Sequence, residues 1–138
     1  MENKSVPSDP NRKIDWLHWH IQHWKSDLQF MEDESIFIEQ LLNSHIFDSN
    51  TLNLFERLQD FLGRLDVFKL RKIKLEKAIS KHESRLGSIM ETSDKVFFDA
   101  YNQRHDDLEM EVLACTDDFK GLKTEIFNYV GGILKRRN

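Results

Sequence analysis

The sequence predicts an all-α protein, an antiparallel up-down-up bundle of three long helices with coiled-coil-like seams. The chain of 138 residues has only two prolines and five glycines, and both prolines precede residue 11, so little interrupts a helix after that point. Apolar residues then recur at alternating spacings of three and four residues through three long segments. The length suits one domain. We therefore predict a flexible N-terminal tail over residues 1–9 and a single helical-bundle domain over residues 10–138.

The first helix is predicted from Pro10 to Ser44. Asp9 can cap it, and proline is well tolerated at the first helical position because its missing N–H would have no partner there. Only Ser35 interrupts the apolar seam, which consists of Ile14, Leu17, Ile21, Trp24, Leu28, Met31, Ile38 and Leu42.

The second helix follows a short loop at residues 45–50 and ends at a turn predicted over residues 87–93. Gly87 is the expected C-cap of this helix, and Thr92 or Ser93 is the expected N-cap of the next one. Lys72 stands at one seam position, where we expect it to snorkel towards solvent or to pair with Glu109 or Glu111 of helix 3. The other seam residues are Leu54, Leu58, Phe61, Leu65, Phe68, Leu75, Ile79, His82, Leu86 and Ile89.

The third helix has the most regular seam. It comprises Phe98, Tyr101, His105, Leu108, Val112, Cys115, Phe119, Leu122, Ile126, Tyr129 and Ile133. The basic residues at 135–137 then place positive charge at the C-terminal end of the helix dipole.

Charge predicts how the helices pair. Residues 14–44 carry one basic and six acidic residues, and residues 51–86 carry nine basic and five acidic ones. The segment 106–118 of helix 3 is again acidic. This order favours a bundle in which helix 2 contacts both neighbours.

Composition also limits the function. The net charge of -4 and the pI near 5.9 argue against a general nucleic-acid binder. No apolar run approaches the roughly 20 residues of a membrane span, so no membrane association is predicted. The single cysteine, Cys115, cannot form an intrachain disulfide, which is compatible with the cytoplasmic location that we predict.

Helix 1 carries more apolar surface than two neighbouring helices need. Beyond the seam, Trp16, Phe30 and Phe37 form a second row, and Trp19 points away from the seam. Tryptophan-rich exposed patches often mark partner surfaces. We therefore predict a homodimer interface at Trp16, Trp19, Phe30 and Phe37, although another protein partner would also fit.

A line of polar residues runs between the two apolar rows of helix 1. It consists of His20, Asp27 and Glu34, which we expect to be at least partly buried and therefore to need partners. The main interpretation is that Asp27 and Glu34 pair with basic side chains of helix 2 and that His23 pairs with Asp27.

A metal site is the alternative interpretation of the same region. His20, His23 and Asp27 share one helix face, and helix 3 offers His105 and Glu109 one turn apart. Imidazoles and carboxylates at such spacings suit zinc or non-haem iron. If the turns centre near residues 47 and 91, Glu76 of helix 2 would join this layer, with His82 nearer the bundle's end.

The primary functional prediction is a non-catalytic interaction or scaffold protein that self-associates through helix 1. The alternative is a metal-binding bundle that uses the His/carboxylate layer around His20. No recognised catalytic arrangement and no glycine-rich phosphate loop is present in the sequence, so neither an enzyme nor an organic cofactor is expected. The segment 69–77 is the best candidate for nucleic-acid binding, which we rank below both.

Overall fold

The computed structural model contains three helices, α1 (Pro10–Leu42), α2 (Leu54–Glu91) and α3 (Lys95–Arg137). The structure describes residues 10–44, 52–91 and 93–137, and within these ranges no strand is present. Each helix packs against the other two, which confirms the predicted all-α, three-helix bundle. The predicted N-terminal tail and the loop at 45–50 lie outside the described residues.

Helix α1 begins and ends close to its predicted positions, and α2 begins close to its predicted start. Helix α1 starts at Pro10 and ends two residues before Ser44, whose hydroxyl donates a hydrogen bond to the Leu41 carbonyl at 2.8 Å. Asn53 precedes α2 with a φ of 58°, in the left-handed region that asparagine tolerates better than most residues. Its carbonyl accepts the Arg57 N–H at 3.0 Å, which begins the hydrogen-bonding pattern of α2.

The predicted second turn is wrong in position. Helix α2 continues through Gly87 to Glu91, because the seam continues to the buried Ile89 and no proline stops the helix. Asp94 rather than Ser93 caps α3, since its Oδ1 accepts the Val96 N–H at 3.0 Å, and the other predicted cap, Thr92, lies outside the described residues. The chain therefore reverses later than expected, which changes the residues that face one another across α2 and α3.

The core consists of the predicted seams. All seam residues that the structure describes in α1 are buried except the half-buried Ile14, and so are most of those in α2 and α3. Each fully buried aliphatic or aromatic side chain contributes about 1.5–3 kcal/mol relative to the exposed state. Tyr129 is only half-buried, and Val130 beside it is buried instead.

Lys72 does not pair with Glu109 or Glu111 as predicted. Its ammonium group contacts Glu32 of α1 and lies 2.9 Å from Glu76 of α2, where the register of the long helices brings these carboxylates. Burial lowers the pKa of Lys72, but the hydrogen bonds and charges of the two carboxylates outweigh burial, so the pKa lies above its usual value.

Ion pairs join the helices in the predicted arrangement. Helix α2 pairs with α1 through Lys69 and Glu39 at 2.9 Å, and with α3 through Arg71 and Asp118, also at 2.9 Å. Because these side chains are partly exposed to solvent, each pair contributes well under about 1 kcal/mol. These ion pairs instead favour the arrangement in which α2 contacts both neighbours.

Candidate functional site

Three histidines, one from each helix, meet inside the bundle and are called the histidine layer below. His20 Nδ1 of α1 lies 3.0 Å from His105 Nε2 of α3. His105 Nδ1 in turn lies 3.0 Å from His82 Nε2 of α2. His105 and His82 are buried, and His20 is half-buried. The imidazoles therefore form a continuous hydrogen-bonded chain from the edge of the bundle into its core.

The sequence predicts part of this layer. It places His20 and His105 at the same level, and the structure brings them together. It assigns Glu76 rather than His82 to the α2 position because the predicted second turn lies too early. Moving the reversal towards Asp94 shifts the residue that faces His105 from near Glu76 to near His82. His82 is on the predicted seam, so the missing information was the position of the turn along the chain.

Aromatic rings enclose the layer. Trp16 lies against His20 with ring centroids 4.2 Å apart, and Trp24 lies against His105 at 4.6 Å. Tyr101 stacks on His82 at 4.0 Å and donates its hydroxyl hydrogen to the His82 carbonyl oxygen at 2.8 Å. These rings exclude water and restrict the rotation of the imidazoles.

The electrostatics of the layer favour neutral imidazoles. Burial, with smaller effects of His82 and His20, lowers the pKa of His105 to about 3. Burial, together with the nearby Arg104 and Arg85, lowers the pKa of His82 to about 4. Both rings are therefore uncharged near neutral pH, and each then has one N–H donor and one acceptor nitrogen.

Neutral rings permit two proton arrangements along the chain. In the first, His20 Nδ1–H donates to His105 Nε2, and His105 Nδ1–H donates to His82 Nε2, so that His82 carries its remaining proton on Nδ1. In the second, both hydrogen bonds are reversed and His82 Nδ1 carries only a lone pair. The tautomer of His105 therefore determines which ring nitrogen carries the proton in both His20 and His82.

The predicted metal ligands do not converge as one set. His23 and Asp27 are exposed, and Glu109 is half-buried. In the described part of the chain, no three His, Cys, Asp or Glu side chains are arranged to hold a metal ion. His105 presents different nitrogens to His20 and His82, so the three rings cannot all bind one ion in this arrangement. A metal site stays a prediction.

The polar line of α1 is only partly buried. His20 and Glu34 are half-buried, but Asp27 is exposed, contrary to expectation. Glu34 pairs with Lys123 of α3 at 2.7 Å rather than with α2. His23 packs edge-on against Trp19 with ring centroids 4.4 Å apart.

The predicted interface residues fall into two groups. Trp16 is half-buried and packs against the hydrophobic core, so only part of its side chain is accessible to a partner. Trp19, Phe30 and Phe37 are exposed and are called the α1 aromatic stripe below. The structure thus leaves three of the four predicted side chains on the outer surface of α1.

Comparisons with protein-family models, with curated proteins and with solved structures find no match to this chain. None of the described helices combines the length and the apolar character needed to cross a membrane.

Proposed function

We propose that this protein is a non-catalytic interaction protein that self-associates through the outer face of α1. The observation that carries the proposal is the exposure of the α1 aromatic stripe: 63% for Phe30, 61% for Phe37 and 46% for Trp19. At about 100° per residue, these side chains lie within roughly 20° of one another around the helix. They therefore form one row, unlike the scattered exposed apolar residues of an ordinary surface.

The stripe has the size of an interface centre. From Trp19 to Phe37 it spans about 27 Å along the helix. At roughly 200 Å² per aromatic side chain, the exposed parts of the three rings amount to on the order of 300–400 Å² per copy. Specific interfaces bury roughly 800 Å² per partner, with an apolar centre and a polar rim, so the flanking polar residues would supply the remainder.

A second copy of the chain is the partner that suits this row. The stripe is roughly symmetric about its midpoint near residue 28, so a two-fold axis there would pair the Trp19 end of one copy with the Phe37 end of the other. Asp27 is exposed beside the stripe and would lie close to Asp27 of the second copy across that axis. Association should therefore strengthen between about 0.05 and 0.5 M salt, as screening reduces this repulsion.

Substitution of the stripe tests the proposal. We expect the wild-type chain to show a monomer–dimer equilibrium, with a dissociation constant in roughly the micromolar range or weaker for a contact of this size. Phe30→Ser/Phe37→Ser should weaken dimerisation by about 100-fold or more, because two rings leave the centre of the contact. Sedimentation equilibrium measures both quantities, and circular dichroism checks that the helices remain.

Val67→Ser/Leu70→Ser is the matched control. These two α2 side chains are 61% and 65% exposed, so the control removes similarly exposed apolar residues from another face. It should leave the dissociation constant unchanged. A wild-type chain that remains monomeric at roughly several hundred micromolar, or an equal effect of both double variants, would contradict the proposal.

The alternative function, metal binding, is supported by one observation. His20 Nδ1 and His105 Nε2 lie 3.0 Å apart, a separation that two ligands of one zinc or iron ion can adopt. Asp27 and Glu109 would have to turn inward to complete the site. Elemental analysis of protein purified without an affinity tag tests it: stoichiometric metal that a His20→Gln variant loses would favour this alternative.

We also propose that the protein is located in the cytoplasm. The thiol of Cys115 is free and buried, and burial raises its pKa above the usual value. An inert, unpaired thiol is compatible with a reducing compartment.

A further inference from the structure

A basic cleft lies between α2 and α3, on the far side of the histidine layer from α1. It has a volume of about 440 Å³. The charged side chains around it are Lys74, Lys77, Lys81 and Arg85 of α2 and Arg104 of α3, and His82 also lines it. One member of the histidine layer is therefore also part of a cationic surface.

The positive charge of this cleft is largely uncompensated. Nearer the start of α2, Arg64, Lys69, Arg71 and Lys72 all form ion pairs with carboxylates. In contrast, no carboxylate of the described residues forms an ion pair with Lys74, Lys77, Lys81 or Arg85. Arg104 has one such contact, with Glu111 at 3.3 Å. Several cations held together without counter-charges make a local site for an anion.

His82, which lines the cleft, also has a buried ring nitrogen that is not engaged with His105. His82 is 2% exposed, and its Nε2 is engaged with His105. Its Nδ1 is buried and has no hydrogen-bond partner among the described residues. A buried imidazole nitrogen without a partner destabilises the folded chain, so a group that accepts a hydrogen bond from it would be bound favourably.

We propose that this cleft binds a compact anion carrying two or more phosphate groups, with His82 Nδ1–H as its buried donor. The lysine and arginine side chains supply charge-assisted hydrogen bonds to the phosphate oxygens. The histidine layer orients the donor: with His20 donating to His105 and His105 donating to His82, the last proton resides on His82 Nδ1. The anion thus selects one of the two proton arrangements, and no ring changes its charge.

The distribution of charge favours a small ligand over a nucleic acid. The unpaired cations of α2 extend over about 17 Å of helix and converge on one cleft with Arg104. They do not continue along the middle of α2, where Arg64, Lys69, Arg71 and Lys72 are ion-paired, and the chain as a whole carries a net charge of -4. An extended phosphate backbone would need a longer basic track.

Titration with pyrophosphate tests the proposal. Isothermal titration calorimetry should show one pyrophosphate per chain, bound more tightly than inorganic phosphate. Lys77→Gln and Lys81→Gln should each weaken binding by about tenfold, because each removes one charge-assisted hydrogen bond. Both side chains are exposed, so folding should be unaffected. Lys120→Gln on α3, also exposed and outside the cleft, should bind like the wild type.

Three outcomes would overturn the proposal. One is no detectable binding of pyrophosphate at millimolar concentration, and another is an equal loss of affinity in Lys120→Gln, which would indicate a general charge effect. The third is tight binding of a short RNA or DNA duplex that pyrophosphate does not compete away, which would indicate a nucleic-acid surface.

The role of His82 as a hydrogen-bond donor can be tested separately by NMR. Long-range ¹H–¹⁵N spectra of the imidazoles distinguish a protonated from an unprotonated Nδ1. With pyrophosphate bound, His82 should carry its proton on Nδ1, and a His82→Phe chain that remains folded should bind more weakly. If pyrophosphate saturates the site while His82 Nδ1 remains unprotonated, this result would contradict the proposed role of His82 as donor.

Discussion

Replacing His105 by leucine is expected to lower the free energy of unfolding by about 3 kcal/mol. Leucine fills much of the same space but cannot bond to His20 Nδ1 and His82 Nε2, which lie 3.0 Å from the two nitrogens of His105. An unsatisfied buried polar group costs about 1–3 kcal/mol, and His20 can recover part of this cost because it is only half-buried. Urea denaturation followed by circular dichroism measures the change.

His18→Leu is the matched control for this substitution. His18 is exposed, and its contact with Gln22 at 3.4 Å is weak, so its replacement should change stability by less than about 0.5 kcal/mol. A double-mutant cycle of His105→Leu with His82→Phe should also be non-additive, because the double variant removes both partners of one hydrogen bond. Additive losses would show that the histidines are not energetically coupled.

The second large effect is a loss of stability in mild acid. The pKa values of about 3 for His105 and about 4 for His82 lie well below the value of about 6.5 in an unfolded chain. Below pH 6.5 the unfolded chain therefore binds protons that the folded chain does not bind, and stability falls as the pH falls. Each histidine contributes about 1.4 kcal/mol per pH unit, so together they contribute about 2.7 kcal/mol per unit until the pH approaches their folded pKa values.

The window between pH 6 and about 5 is the most informative, because few carboxylates titrate there. Free energies of unfolding measured across it should show the steep slope in the wild type and in His18→Gln. A His105→Gln variant should show about half of the slope. A stability that does not change between pH 6.5 and 5 would contradict the neutral, buried state of the layer.

The sequence was sufficient for the fold because the two strongest signals are local. The three-four spacing of apolar residues identifies each buried face, and the near-absence of helix breakers permits long helices. Charge then indicated that α2 contacts both neighbours, as the pairs of Lys69 and Arg71 confirm. These properties depend on which face a residue occupies, and not on its height in the bundle.

The site was harder to predict because it depends on the position of each residue along the bundle axis, that is, on its height in the bundle. A shift of one residue in the centre of a turn moves the facing position on the next helix by two residues. Placing the second reversal too early therefore assigned Glu76 to the layer in place of His82. Asp27 shows a related limit: a helix projection places it within the apolar arc, but its side chain is exposed in the bundle.

The uncompensated cations of the basic cleft were also missed. In the sequence, Lys69, Lys72, Lys74 and Lys77 are not distinguishable, and all four belong to the segment 69–77 that is the best candidate for nucleic-acid binding. The structure separates them, because the first two are ion-paired and the last two line a cleft. Pairing of side chains between helices is decided by register and rotamers, which the sequence pattern does not specify.

The central claim, that α1 faces a second copy of itself, is tested most directly by an intermolecular distance. Ser26 is exposed beside the α1 aromatic stripe, and the buried Cys115 should not take up a spin label, so a label at Ser26→Cys reports on this face. Because packed helices lie about 8–10 Å apart, electron–electron dipolar spectroscopy should give label separations below about 25 Å for Ser26→Cys. Labels at Ser80→Cys on α2 should be farther apart. A short separation for Ser80→Cys and none for Ser26→Cys would contradict the proposed interface.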